Sequence, residues 1–347
     1  MPQSVSDVHH ELYHYTTTNG LKGIIENQTL WATHHAHLND HQEIIHFKNR
    51  LPEIIEPAVE EIIQIGLNAI GLNNDGTDKK DKSSREAANS IVDHLYNTTF
   101  VGRNGKPPFA EPYFTSFCTV DQNWKDEKRD TVPKHGLLSQ WRGYGKNGGY
   151  AIVFDTRKIE ELLKEENEKW HYQNSIYFCD ILYSNVPDEQ ILNEFESDEN
   201  SIKQGVEKFL KALKNGDNSK GFGLLYEAFC KCACRYKHWG FEEELEVRII
   251  AIPASQEVRK SAGNEKNTLL KPEKPINHFM RSATLVPHID LFDKITIPRQ
   301  KILPIRRIIV GPHPDKEKRR RSVELLLQRN GLDSQVLISE IPYIEMG

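Results

Sequence analysis

Long apolar runs are missing from this chain. No stretch reaches the roughly 18 consecutive apolar residues that a membrane-spanning helix needs, and the opening MPQSVSDVHH lacks the apolar region of a secretory signal. Cysteine is sparse: five in 347 residues, an odd number without paired spacing. That argues against a disulfide framework and for a reducing compartment, so a cytoplasmic protein without membrane association is expected. Excess charge is missing too. A net charge of −5 and a pI near 6.3 exclude broad electrostatic capture of a polyanion, and any nucleic-acid site must be a local patch. Nor is there a Walker loop, a GxGxxG after a strand, an HExxH or a GxSxG. These absences remove the commonest P-loop, dinucleotide-fold, zincin and esterase readings.

What is present is a soluble, globular composition, 37% hydrophobic and 27% charged, with a distinctive opening. LYHYTT at 12–17 is rich in β-formers. Leu21, Ile24 and Ile25 then recur at helical spacing behind Thr18 or Asn19 as N-cap, and Leu30 to Thr33 alternates again. The unit reads strand, helix, strand, and it aims His14 from a strand into whatever cleft the two strands flank. A long amphipathic helix is expected over 38–68, with Asp40 and Glu43 as a capping box, then a polar loop over 71–85 and a helix over 86–98. Later strands are expected at 113–119, 150–154, 177–184, from about Glu246 to 252, at 279–286, 306–311 and 334–338. A short helical turn is expected in the first part of LLSQWRGYG, and helices at about 156–168, 188–214, 222–237 and 315–329. This order predicts an α+β fold, a single domain over 1–347 with helical insertions at about 40–110 and 156–240.

Four clusters invite chemistry. His34, His35, His37 and His41 cannot all converge from a strand and turn, where adjacent residues face opposite ways, so a solvated turn is favoured over a metal site. Cys230, Cys232 and Cys234 lie on a helix, where only the first and last share a face, so packing thiols are favoured. The run Lys316, Lys318, Arg319, Arg320 and Arg321 opens a helix; a solvated face is the default and a phosphate-contacting patch the alternative. On a strand from Glu244, the side chains of Glu244, Glu246 and Arg248 share one face. Two inward carboxylates are costly unless paired or functional, and an ion pair with Arg248 is the plain alternative.

LYHYTT…LWAT…LND…E, FTSFC, LLSQWRGYG…GGYAIVFD, EEELEVRI, RRIIVGP and IPYI together resemble the bacterial family called domain of unknown function 2971. The strand–helix–strand opening also resembles the ADP-ribosyltransferase fold, a split antiparallel sheet in which a first-strand His, a middle aromatic and a late Glu hold NAD. The resemblance implies His14 as a donor to NAD and Tyr144 as the nicotinamide stacker, with Trp141 and Tyr150 competing for that part. It implies Glu246 as the catalytic carboxylate, with Glu244 the alternative, and Arg142 on the pyrophosphate. Tyr15, Trp31 and Trp141 complete the implied cofactor-binding set, and no metal is called for. Members associated with phage defence and toxin–antitoxin systems imply a toxin-type effector acting on a nucleic acid or protein, with an antitoxin as partner. NAD hydrolysis, or nucleotide and partner binding without turnover, are the alternatives.

Overall fold

The computed structural model describes residues 4–38, 43–69, 77–102, 105, 107–121, 124–145, 148–195, 205–208, 218–254, 271–293 and 303–343. Its contacts divide the chain into two units, one made of 1–37, 112–181 and 241–347, the other of 38–111 and 182–240.

In the first unit the opening folds as its pattern dictates. Strand β1 (Glu11–Thr16) leads into helix α2 (Thr18–Asn27), after a short α1 (Val5–Val8), and then into β2 (Leu30–His34). The cap of α2 is Thr17, whose hydroxyl accepts from the Gly20 N–H, one residue before the expected Thr18. Leu21, Ile24 and Ile25 face inward. Strands β3 (Tyr113–Cys118), β4 (Tyr150–Asp155), β5 (Tyr177–Asp180), β8 (Glu246–Ala251), β9 (Asn277–Arg281), β10 (Thr284–Leu291), β11 (Ile305–Val310) and β12 (Gln335–Ile338) complete a mostly antiparallel sheet. Along its main path the order is β12-β11-β4-β1-β3-β2-β10-β9, with β8 on β3 and β5 on β8; among the described strands of this sheet only β11 and β12 run parallel.

One face of this sheet carries Leu12, Leu30, Ala32, Phe117, Ile152, Phe154, Val247 and Ile249, packed with α2, α7 (Thr156–Lys169) and the C-terminal helix (Lys316–Arg329) through Ile25, Ile159, Leu162 and Val323. Each such side chain, fully buried, contributes roughly 1.5–3 kcal/mol of transfer free energy. The other face carries Tyr13, Tyr15, Cys118, Ala151, Val153 and Ile309 beneath Trp141. Trp141 belongs to α6 (Leu138–Tyr144), which follows α5 (Asp126–His135). At the end of the sheet an ion pair is buried outright. Glu166 of α7 accepts from Lys274 Nζ at 2.6 Å, from the Tyr172 hydroxyl at 2.6 Å and from the Phe292 N–H at 2.9 Å.

The second unit is helical. It contains α3 (Glu43–Ala69), α4 (Thr77–Tyr96), a π-helical turn (Asn97–Val101), α8 (Asp188–Phe195) and a helix over Asn218–Arg235, with a two-residue parallel pair between β6 (Leu182–Tyr183) and β7 (Tyr236–Lys237). Phe47, Leu51, Ile54, Ile55 and Val59 of α3 are buried, as are Cys230, Cys232 and Cys234. Arg50 donates to the Ser184 and Val186 carbonyls and to Asp188, tying the two chain segments together.

Three expectations are corrected. Residues 77–85 are helical, because Ser84 and Arg85 dock on α3 through Glu53 and Glu56; that tertiary pairing overrides a polar, loop-like composition. The strand expected over 279–286 is a hairpin, β9 and β10, turning at Ser282 in the left-handed region (φ 54). The strand expected over 177–184 is broken at Ile181, whose N–H donates to the Glu246 carbonyl. The proposed capping box at Asp40 and Glu43, and His41, fall on positions whose side chains lie outside the described residues.

Candidate functional site

Among the described residues the sheet is interrupted along one edge of β3. β3 pairs with β8 along its whole length, Tyr113–Ala251 to Cys118–Glu246. Its other edge is shared: β1 meets it only at Tyr13–Cys118, and β2 only at Thr33–Phe114 and His34–Tyr113. Between these contacts residues 115–117 face a notch from which β1 and β2 diverge. Side chains bridge the gap where the ladder is missing. His14 Nδ1 bonds the Ser116 carbonyl at 3.0 Å, and the Thr115 hydroxyl donates to the Trp31 carbonyl at 2.9 Å. Ser116 itself is exposed, in the middle of a strand whose every other residue is buried.

His14 keeps a solvent-facing edge while its ring meets Phe117 edge-on, centroids 5.8 Å apart. Burial pushes its pKa below the ordinary imidazole range, and the bond to Ser116 only partly opposes this. The ring is therefore neutral near pH 7. Because a carbonyl only accepts, Nδ1 carries the proton and Nε2 presents a lone pair; the expectation of His14 as a donor to NAD is thereby corrected, since the one N–H of the neutral ring is held by Ser116.

The register separates two of the expected partners. Glu246 is opposite Cys118, and Cys118 is opposite Tyr13, so these three side chains leave one face. His14, the neighbour of Tyr13, leaves the other with Phe117. The expectation of one cleft holding His14 and Glu246 from the same face is thereby corrected. At the notch the two faces are separated only by β3 itself and by the His14 and Thr115 side chains that bridge to β1 and β2.

Glu246 is buried, and its Oε1 accepts from Arg248 Nε and Nη2, both at 2.8 Å. The guanidinium lies 4.9 Å from the Phe114 ring centroid. Glu244 is not on the strand. It ends a 3₁₀ turn (Trp239–Glu244), and Leu245 takes a left-handed conformation (φ 43) before β8 begins. The Leu245 carbonyl is held by both the N–H and the hydroxyl of Thr119, at 3.1 and 3.0 Å. This clamp makes Glu246 the first residue of the strand and keeps Glu244 off its face.

The aromatic candidates divide. Tyr15 and Trp141 are core residues: the Tyr15 oxygen accepts the Leu137 N–H at 2.9 Å, the Trp141 indole donates to the His135 carbonyl at 2.9 Å, and the rings meet edge-on. Neither presents a surface for a ligand. Tyr150 is buried beneath the Arg319 guanidinium. Tyr144, at the end of α6, is 37% exposed, and the exposed Arg142 lies over the Tyr343 ring. Trp31 is 43% exposed. Two residues along from the Thr33–Phe114 pair, it stands level with Ser116 on the Glu246 face. Ser116 and Thr119 went unassigned in the sequence; a lone serine amid the apolar FTSFC alternation is the signal that marks the first.

The remaining clusters are quieter. Burial and neighbouring imidazoles push His34 down to about 4 and His35 to about 3. Among the described residues no group of three or more His, Cys, Asp or Glu is arranged to hold a metal, and no helix is long and apolar enough to cross a membrane. Lys318, Arg320 and Arg321 pair with Asp315, Glu317 and Glu324 of their own helix and cap, and Arg319 turns inward toward Tyr150 and Thr18.

A family model described as "Protein of unknown function (DUF2971)" matches residues 140–249, which contain Trp141, Tyr144, Glu244, Glu246 and Arg248 but neither His14 nor Trp31. No curated protein and no solved structure matches the chain.

Proposed function

We propose that this chain, similar over 140–249 to the family of unknown function DUF2971, is an ADP-ribosyltransferase-like protein that takes NAD as substrate at the notch between β1 and β2. The notch itself carries this reading: a split in an antiparallel sheet, bridged by His14 and floored by the exposed Ser116. A flat ligand entering the split meets both faces. His14 Nε2, a lone pair at neutral pH, accepts a ribose hydroxyl from one side, while Ser116, Trp31 and the Glu246 carboxylate lie toward the other.

Breaking the nicotinamide–ribose bond leaves an oxocarbenium-like cation. A preorganised carboxylate at that position stabilises the developing charge and orients the incoming nucleophile. Arg248 holds Glu246 in place from two nitrogens, and its planar fork suits an anionic phosphate or carboxylate alike. Tyr144 and Arg142 are the exposed side chains of α6 assigned to nicotinamide and pyrophosphate. The expected acceptor is a macromolecule, as for an intracellular toxin or defence effector.

A second reading rests on one observation. Glu246 already accepts from Arg248 through Oε1 and is shielded from solvent, as in a purely structural pair. In that case the notch binds a nucleotide or partner without turnover. Incubation with labelled NAD and cell lysate separates the readings: label in macromolecules, free ADP-ribose, or bound but intact NAD. Glu246→Gln is expected to lower turnover by at least 100-fold, the scale of losing one preorganised electrostatic contact, with NAD affinity little changed. Wild-type turnover in that variant refutes the catalytic role of Glu246.

A further inference from the structure

On the Glu246 face an aromatic surface extends from the notch across β10 to β9. Trp31 and Phe279 lie nearly parallel, centroids 5.0 Å apart at 29°, over the His288 ring, which is 4.4 Å from Trp31 and 5.5 Å from Phe279. The Arg281 guanidinium continues the series 5.4 Å from the Phe279 centroid, anchored by a 2.7 Å bond to the His37 carbonyl. Cross-strand register explains the assembly: Trp31 pairs with Asp290, His288 with Thr33, and Val286 with Phe279, all one pleat face.

The floor of this surface is built rather than incidental. His288 is 4% exposed, and its Nδ1 has no hydrogen-bond partner. Burial depresses its pKa, so it serves as a neutral ring beneath the other two. The nearby carboxylate, Asp290, is engaged by Asn277 at 2.6 Å. Trp31 keeps 43% of its surface in water, a large apolar area to leave exposed on the flank of a sheet.

Its chemistry indicates what covers it. On this face the Arg281 guanidinium stands at the outer end, while the acidic residue beside Trp31, Asp290, is held by Asn277 and lies 3.7 Å from His288 Nε2. Planar rings in series beside a guanidinium form a sequence-tolerant stacking surface, since every base has a π-face, and the cation meets the backbone phosphate. An acidic protein with one such patch favours an extended single strand over a duplex, whose capture depends on many phosphate contacts.

We infer that Trp31, Phe279 and Arg281 form a stacking site for the bases of single-stranded nucleic acid beside the notch. The site shares Trp31 with the proposed NAD notch, while Phe279 and Arg281 are its own, so base stacking can be tested without NAD use. Joined to the proposed function, it makes nucleic acid the acceptor.

Fluorescence anisotropy with labelled single-stranded DNA and RNA of about 12 nucleotides, within the site size of one small binding domain, tests this without NAD. Wild-type protein is expected to bind at least one of them and to prefer it over the matching duplex. Phe279→Ala and Arg281→Gln are each expected to weaken binding about tenfold, the effect of one lost stacking partner, and Phe279→Tyr to retain it. Melting curves report the fold, which is expected to survive because β9 is an edge strand. NAD affinity, measured by calorimetry, is expected to be unchanged in all three variants. Absence of binding by wild-type protein overturns the inference. So does equal binding by Phe279→Ala and Arg281→Gln. If Phe279→Ala weakens NAD as much as the oligonucleotide, the surface belongs to the cosubstrate and the inference falls, whatever becomes of the NAD reading itself.

Discussion

Lys274→Met removes the counter-charge of a carboxylate that has no access to water. Lys274 and Glu166 have 1% and 0% of their side chains exposed, with Nζ and Oε1 at 2.6 Å. Burial lowers the pKa of Lys274 despite its partner, a sign of how dry the site is. Removing one member of a buried pair costs about 3–5 kcal/mol, because the other charge stays inside. The Tyr172 and Phe292 donors remain on Glu166, which places the expected loss at the lower end. For a unit of this size ~1 kcal/mol moves the melting temperature by roughly 2–4 °C, so a fall of about 6–12 °C is expected by calorimetry. Glu166→Gln with Lys274→Met removes both charges while retaining an acceptor for Tyr172. This double variant is expected to be more stable than Lys274→Met alone. A melting temperature within about 2 °C of wild type for the single variant refutes the reasoning; so does a double variant whose loss equals the sum of its parts. The network matters for function because Phe292 directly follows β10, the strand bearing His288.

Stability is also expected to fall as pH drops from 7 to 5, where most carboxylates are still ionised. His34 and His35 have folded pKa values far below their unfolded 6.5, so the unfolded chain binds more protons throughout that range and stability is lost on acidification; a His34→Gln/His35→Gln variant should show a flatter melting profile. Gly136→Ala is expected to cost about 1–3 kcal/mol in urea titration, because φ is +76 and the added carbon would come within 2.7 Å of the Trp141 ring. Thr119→Val keeps the size but removes one of two donors to the Leu245 carbonyl. A loss of about 1 kcal/mol is expected, together with reduced turnover at unchanged NAD affinity if the clamp positions Glu246.

The elements with strong periodicity were legible in the sequence. β1, α2 and β2 follow their alternation and spacing, and α7 and the C-terminal helix fall within a residue or two of their patterns. What failed was decided by single backbone residues that no periodicity encodes. Leu245 in the left-handed region takes Glu244 off the face it was expected to share with Glu246 and Arg248, and Ser282 folds one expected strand into a hairpin. That hairpin brings Phe279 and His288 beside Trp31. The family resemblance implied Tyr15 and Trp141 as ligand contacts, yet their polar atoms are spent on backbone partners in the core. Which face His14 and Glu246 occupy depends on cross-strand register, information carried by pairs of distant strands.

The pairing of distant segments sets a timetable for the nascent chain. β1 must wait for β4, about 140 residues later, and β4 for β11, about 150 residues after that. At roughly 5–20 residues per second, β1 spends on the order of 7–30 s on the ribosome before β4, the strand that pairs with it along its whole length, is made. The helical unit waits as well, since residues 182–240 must emerge to complete 38–111. Neither unit can close early, and the edges of β1 and β4 each stay available to other chains for roughly two fifths of synthesis. A cell making this protein therefore carries its half-built sheet for roughly 15–60 s, a window in which chaperones have access to edges that the finished fold closes.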